Sequence, residues 1–224
     1  MSWATQKAKR VSDSNSTYHH GNLKEALVQA AIELLEEGIP ASDLSLRMVA
    51  RRAGVSHAAP YAHFEDKEDL IASIKDVAFS ALLEDLKARL SESKAKARDR
   101  LMILARTYLT FAAANPGKFD LMFRRPLQKS PGPGHRYAQS GKAMFAILTA
   151  LVQEFLGGGT GEGCGVSPAQ LKSRTLLAWS ALHGICMLRV GGLLVHVAPE
   201  RAFDDVAADI VAEMLKVLEA DASP

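Results

Sequence analysis

From Leu23 to Leu218 the apolar residues return every three or four positions, and glycine, proline or asparagine cuts each run short. That spacing lines one face of an α-helix. No segment alternates apolar and polar residues between hairpin-type turns, and no repeat or sustained heptad occurs. The fold class expected is therefore all-α: an N-terminal three-helix unit followed by a larger helical unit.

The first helix is expected over Asn22 to Glu37, with Leu23, Leu27, Ala30, Ala31 and Leu34 inward, Asn22 as cap, and Gly38 and Pro40 as the stop. Ser45 can cap a short helix from Leu46 to Ala53, and Gly54 supplies the permissive backbone after it. Ser56 can cap another from His57 to Phe64, with Pro60 early in it. Asp66 caps a longer helix to about Leu90, with Leu70, Ile71, Ile74, Val77 and Ala78 inward. Helices over 95–114, 135–156, 168–190 and 203–219 follow, with short turns around Phe119. Loops are expected at 130–134 and 157–165. Three units result: a loose tail over 1–18, a small helical domain over 19–66, and residues 67–224.

Two short helices around a glycine turn have the dimensions of a helix-turn-helix. His57, Ala58 and Ala59 are short enough to let the second helix approach base edges. Tyr61 and His63 sit where a helix flank meets phosphates, and Phe64 is expected to pack inward. Between Leu44 and Phe64 there is no acid, while Arg47, Arg51 and Arg52 are basic. Lys67 would add a charge to the free N–H groups at a helix start. The net charge of the chain is only +2, so a DNA-binding face has to be local. A packed helical unit with a solvated arginine face fits the same spacing.

The stretch from Tyr18 to Ile74, containing "LSLRMVARRAGVS", "YAHF" and "DKEDL" in that order, resembles the DNA-binding domain of TetR/AcrR-family transcriptional regulators. The resemblance implies a homodimer bound to palindromic operator DNA, most often as a repressor. It implies backbone contacts at Ser45, Arg47, Tyr61, His63 and Lys67 and base-facing positions at His57, Ala58 and Ala59, with Ser56 completing the set. Pro60 stands where the family more often has Leu, Ile or Val. Ala62 replaces an arginine of one related version of the motif. Further on, "LLAWSALHGICML" resembles the Trp-x-x-x-His-Gly pattern of one C-terminal class in this family, carried by Trp179, His183 and Gly184.

The second unit is rich in aromatic and methionine residues. Tyr108, Phe111, Phe119, Met122, Phe123, Met144, Phe145, Leu148, Trp179, His183 and Met187 can line a cavity for a small, mainly apolar organic effector, or they can fill a core. The stripe of Phe203, Val206, Ile210, Val211, Met214 and Leu218 is expected at a homodimer interface.

Other classes find little support. No phosphate-binding glycine loop precedes a lysine, and "GGGTGEG" lacks both a preceding strand and a trailing Lys-Ser/Thr. His19 and His20 have no partners at metal-ligand spacing. Cys164 and Cys186 form neither a zinc pattern nor a disulfide framework. Neither cofactor, metal nor enzymatic activity is expected. Residues 1–20 are polar and no uncharged apolar run is long enough to span a membrane, so a soluble, cytoplasmic protein is expected. A helical protein-interaction module that has lost DNA binding is the alternative.

Overall fold

The computed structural model describes residues 23–124, 137–157 and 166–220. The readings made for Asn22, the tail, His19 and His20, the 130–134 loop, and residues 158–165 with Cys164 lie outside them. Among the described residues the chain is all-α. Its helices are α1 (Leu23–Glu36), α2 (Leu46–Arg52), α3 (Lys67–Ser91), α4 (Ala97–Ala114), α5 (Pro116–Phe123), α6 (Tyr137–Leu156), α7 (Pro168–Val190), α8 (Leu194–Val197) and α9 (Phe203–Ala220), with one 3-10 turn over Ala59–Ala62.

The helix boundaries follow from local chemistry. The Ser45 hydroxyl accepts from Met48 N–H at 3.2 Å, and the Asp66 carboxylate accepts from Asp69 N–H at 2.9 Å. Each satisfies a backbone donor left free at a helix start. α1 and α2 end alike. Ile39 N–H reaches back to Leu34 C=O and Val55 N–H to Ala50 C=O, across Gly38 (φ +89°) and Gly54 (φ +69°). Only glycine adopts that left-handed backbone without strain.

The segment after Gly54 departs from expectation. Instead of a helix from His57 to Phe64 there is a 3-10 turn at Ala59–Ala62, and Ser56 makes no side-chain cap. Pro60 has no N–H to offer the carbonyl four residues back. The Ser56 carbonyl takes Ala59 N–H at 3.0 Å instead, and Tyr61 N–H bonds Ala58 at 3.2 Å. These three-residue closures tighten the turn.

Two apolar cores form. The first gathers Leu27, Ala31, Leu34, Leu44, Leu46, Val49 and Phe64 with Leu70, Ile71 and Ile74 of α3. The second gathers Phe79, Leu82 and Leu86 of α3 with α4, α5, α6, α7 and α9. A single 25-residue helix thus carries one core near its start and the other beyond it. Val77, expected inward, is exposed, because the buried stripe turns from Ile74 to Ala78 and Phe79.

α5 is shared as well: Leu121 belongs to the first core, whereas Phe119 and Met122 belong to the second. Its first turn lies so close to the end of α1 that a Cβ on Gly117 would stand 3.0 Å from the Leu35 carbonyl oxygen. Lys118 pairs with Glu36 at 2.9 Å beside this contact. Buried Lys75 of α3 donates to the carbonyl of Arg124, which caps α5, at 2.5 Å. Burial lowers the Lys75 pKa.

Leu121→Ala removes a fully buried side chain from the seam between α5 and the first core. The expected loss is about 2–5 kcal/mol, measured by urea denaturation.

Candidate DNA-binding and effector sites

On the N-terminal unit, Arg47, Ser56, His57, Ala58, Tyr61 and Ala62 are exposed, and Tyr61 leaves 57% of its surface open. Ala59 and His63 are half-buried, while Pro60 and Phe64 are buried and hold the turn against α2 and the core. Two basic residues are committed elsewhere. Arg52 forms a two-pronged pair with Glu37, at 2.7 and 2.5 Å, with Glu33 3.7 Å away. This pair lowers the Glu37 pKa and raises that of Arg52. The basic face expected from three arginines therefore rests on Arg47 and Arg51. Lys67 donates to the carbonyl of Ser42 at 2.5 Å, tying the α1–α2 connection to the start of α3.

The second unit holds an open-mouthed cavity of about 410 Å³. Phe79 and Leu82 of α3, Leu104 and Tyr108 of α4, and Phe123 of α5 form one side; Gly141, Lys142, Met144, Phe145 and Leu148 of α6 with Trp179 and Leu182 of α7 form the other. Six of the residues expected in a pocket stand along this wall: Tyr108, Phe123, Met144, Phe145, Leu148 and Trp179. Five do not. Phe119 and Met122 are buried filling between α4, α5 and α7. Phe111 lines a separate groove with Arg106 and Asn115. Met187 packs on the core beyond the cavity. His183 stands behind the wall rather than along it.

His183 organises that wall. Its ring stacks on Trp179 (centroids 5.3 Å apart, planes at 25°) and meets Phe123 edge to face at 4.4 Å. Its Nδ1 is hydrogen-bonded to the Tyr108 hydroxyl at 2.9 Å. Tyr108 also packs edge to face on Phe119. Burial lowers the His183 pKa and raises that of Tyr108, so both are neutral near pH 7. Burial likewise pushes the Cys186 thiol up to about 12, which leaves it an inert apolar filler.

Sequence reasoning missed Phe79, Leu82, Leu104, Gly141, Lys142 and Leu182. The signal in α3 is a second stripe, Lys75, Phe79, Leu82 and Leu86, beside the stripe of Leu70, Ile71, Ile74 and Ala78. Lys142 carried no signal, since a lone lysine on an apolar helix reads as solvated surface.

The stripe expected at a dimer interface is used inside the chain. Phe203, Val211, Met214 and Leu218 are buried against α7 and its neighbours, and Val206 and Ile210 are half-buried. An amphipathic terminal helix first covers its own core, and Arg189 of α7 caps that packing by lying over the Phe203 ring at 4.4 Å. Apolar residues remain uncovered on the outer faces: Leu177 and Leu188 of α7, 40% and 36% exposed, and Val217 of α9, 45% exposed.

Residues 27–74 match the profile of the tetR family of bacterial regulatory proteins, and residues 101–214 match the tetracyclin repressor-like C-terminal domain. A solved Rhodococcus sp. RHA1 protein of unknown function is 30% identical, with a TM-score of 0.70 over 90% of this chain and 97% of that one. An uncharacterised HTH-type transcriptional regulator of Mycobacterium tuberculosis is 24% identical over 194 residues, 85% of this chain and 81% of that protein. The nucleoid occlusion factor SlmA of Vibrio vulnificus is 31% identical over 101 residues, 45% of this chain and 51% of its own length. An α-helical chain with a helix-turn-helix at one end and a larger helical domain at the other defines a class of transcriptional regulators. This chain belongs to the TetR family within it, and is accordingly a regulator and not an enzyme. Among the described residues no helix is long and apolar enough to cross a membrane.

The lowered pKa of His183 sets a pH dependence. The unfolded chain takes up this proton near the ordinary value of 6.5, before the folded chain does. The contribution is fully present above that pH and is lost as pH falls below it. The thermal midpoint of the wild-type protein is expected to fall between pH 7 and pH 5 more steeply than that of His183→Gln.

Proposed function

We propose that this protein is a ligand-responsive repressor that binds a palindromic operator as a homodimer and is released by a small, mainly apolar organic effector. The observation that carries the reading is the continuity of α3. Leu70, Ile71 and Ile74 fix its start in the helix-turn-helix core, and Phe79 and Leu82 of the same helix form part of the cavity wall. α5 supplies a second link, from Phe123 at the cavity to Leu121 and Gly117 at α1. An effector that binds better when these helices shift favours the state with the wrong spacing of recognition elements and so lowers DNA affinity.

In this reading residues 19–66 are the DNA-binding domain and 67–224 the effector and dimerisation domain. His57, Ala58 and Ala59 face the bases. Arg47, Tyr61, Ser45, Ser56 and His63 meet the backbone. Lys67 positions the domain through Ser42 and offers its remaining donors to phosphate. The C-terminal domain is of the Trp-x-x-x-His-Gly class, with a separate task for each of the three residues. Trp179 forms wall, His183 braces that wall from behind, and Gly184 faces outward, where a Cβ would meet none of the described residues within 4 Å.

Gly184 shares its face with Leu177, Ser180 and Leu188 at helical spacing. The homodimer forms there, with the outer face of α9 around Ile210 and Val217 alongside. Two such pairs of helices make a four-helix interface. Leu177→Glu combined with Leu188→Glu is expected to convert a dimer into a monomer in sedimentation equilibrium, with little change in helix content by circular dichroism. A wild-type monomer at micromolar concentration would sink this part.

Selection from a random duplex library at roughly 0.15 M salt tests DNA recognition. An enriched inverted repeat is expected. Arg47→Ala should weaken binding to all sequences and reduce the slope of log K against log salt by about one. His57→Ala should change base preference while leaving that slope in place. Identical effects of the two on sequence preference would show the recognition turn to be misplaced. No enrichment from folded dimer would favour a helical interaction module without DNA binding.

A further inference from the structure

The cavity has an unequal distribution of polarity, and this limits what can occupy it. Its deep groups are apolar or already paired: the Tyr108 hydroxyl is spent on His183, and burial keeps both neutral. An occupant that pushed a polar group inward would find no free partner there and would lose its hydration without compensation. Among the described residues Lys142 is the one charged residue of the wall and the one exposed residue in it. It stands one residue from Gly141 and three from Phe145, so its charge marks the mouth while its stem continues the apolar stripe of α6. Among the described residues no carboxylate lines the cavity and none pairs with Lys142. The aromatic wall by itself would also suit a lipophilic cation, but the Lys142 ammonium at the mouth opposes one. At about 30 Å³ per water-sized group, a cavity of about 410 Å³ holds roughly 14 such groups.

We infer that the effector is an amphipathic carboxylate, with an apolar body of roughly ten carbon-sized groups inside the cavity and its anionic head at Lys142. This rests on the reading of the cavity as the effector site. Lys142 is then the specificity-determining residue. It selects the charge of the head, while the aromatic and leucine wall takes the body with little discrimination of detail.

Three probes of one chain length separate the possibilities: decanoate, decan-1-ol and decylammonium, titrated calorimetrically into the full-length protein. Wild type is expected to bind decanoate at least tenfold more tightly than the other two. Lys142→Gln should abolish that preference and leave the affinity for decan-1-ol unchanged. Lys142→Glu should turn the order round in favour of decylammonium. Because Lys142 is exposed, neither change threatens folding, and the unchanged decan-1-ol affinity verifies the cavity in each variant. Equal binding of decanoate and decan-1-ol by wild type, or a decanoate preference that survives Lys142→Gln, overturns the assignment of head-group charge and leaves the cavity reading standing. No binding of any probe by folded wild-type protein overturns both.

Discussion

Everything in this molecule depends on one helix having to satisfy two cores. α3 buries Leu70, Ile71 and Ile74 in the N-terminal unit and Ala78, Phe79, Leu82 and Leu86 in the C-terminal one. A helix is stiff along its axis, because each residue is tied to those one turn away. The orientation of the helix-turn-helix is consequently set by how α3 seats among α4, α5 and α6. A separate linker would have allowed the two units to rotate freely. Here the two units are joined through the packing of side chains on α3, and some of those side chains face a cavity.

α5 makes the coupling stiffer. It is only eight residues long, yet it touches both cores, approaches α1 closely enough to require Gly117, and is held at its end by buried Lys75. Placing an ammonium group there costs desolvation, and the Arg124 carbonyl offsets part of that cost. The result is a polar pin between two helices that also meet through the rings of Phe79 and Phe123. Apolar contacts can slide with little penalty, whereas a buried hydrogen bond cannot be broken without leaving a group unpaired. The Lys75 contact fixes the register in which α3 and α5 meet, and the wall residue Phe123 lies one position before the pinned Arg124.

The cavity survives for a related reason. A row of large aromatics cannot collapse into one another as leucines can, and the stacking of His183 on Trp179, with its bond to Tyr108, props one side open. His183 contributes by bracing rather than by lining. Its neutral state follows from burial, and its hydrogen-bonding capacity is directed at the wall from behind. Phe119, Met122 and Met187 supply the filling that makes the wall rigid.

Much of the architecture was legible in the residues. Helical spacing, the caps at Ser45 and Asp66, and the stops at Gly38 and Gly54 are local effects, each decided within a turn or two of chain. So was the family resemblance, which sits in a contiguous stretch. The length of the turn after Gly54 was decided just as locally by Pro60, but the choice between α and 3-10 closure depends on which carbonyls Pro60 leaves without a donor. What only the tertiary structure decided is which apolar residues face one another. Spacing shows that Phe203, Val211, Met214 and Leu218 form a stripe, but not whether the stripe covers the chain's own core or a partner. The core takes it first, because contacts within a chain form without the entropy cost of bringing two molecules together. For the same reason Lys142 was invisible as a site residue and Arg52 read as free. The value of a charge depends on its neighbours in space, and these are set by how the helices pack.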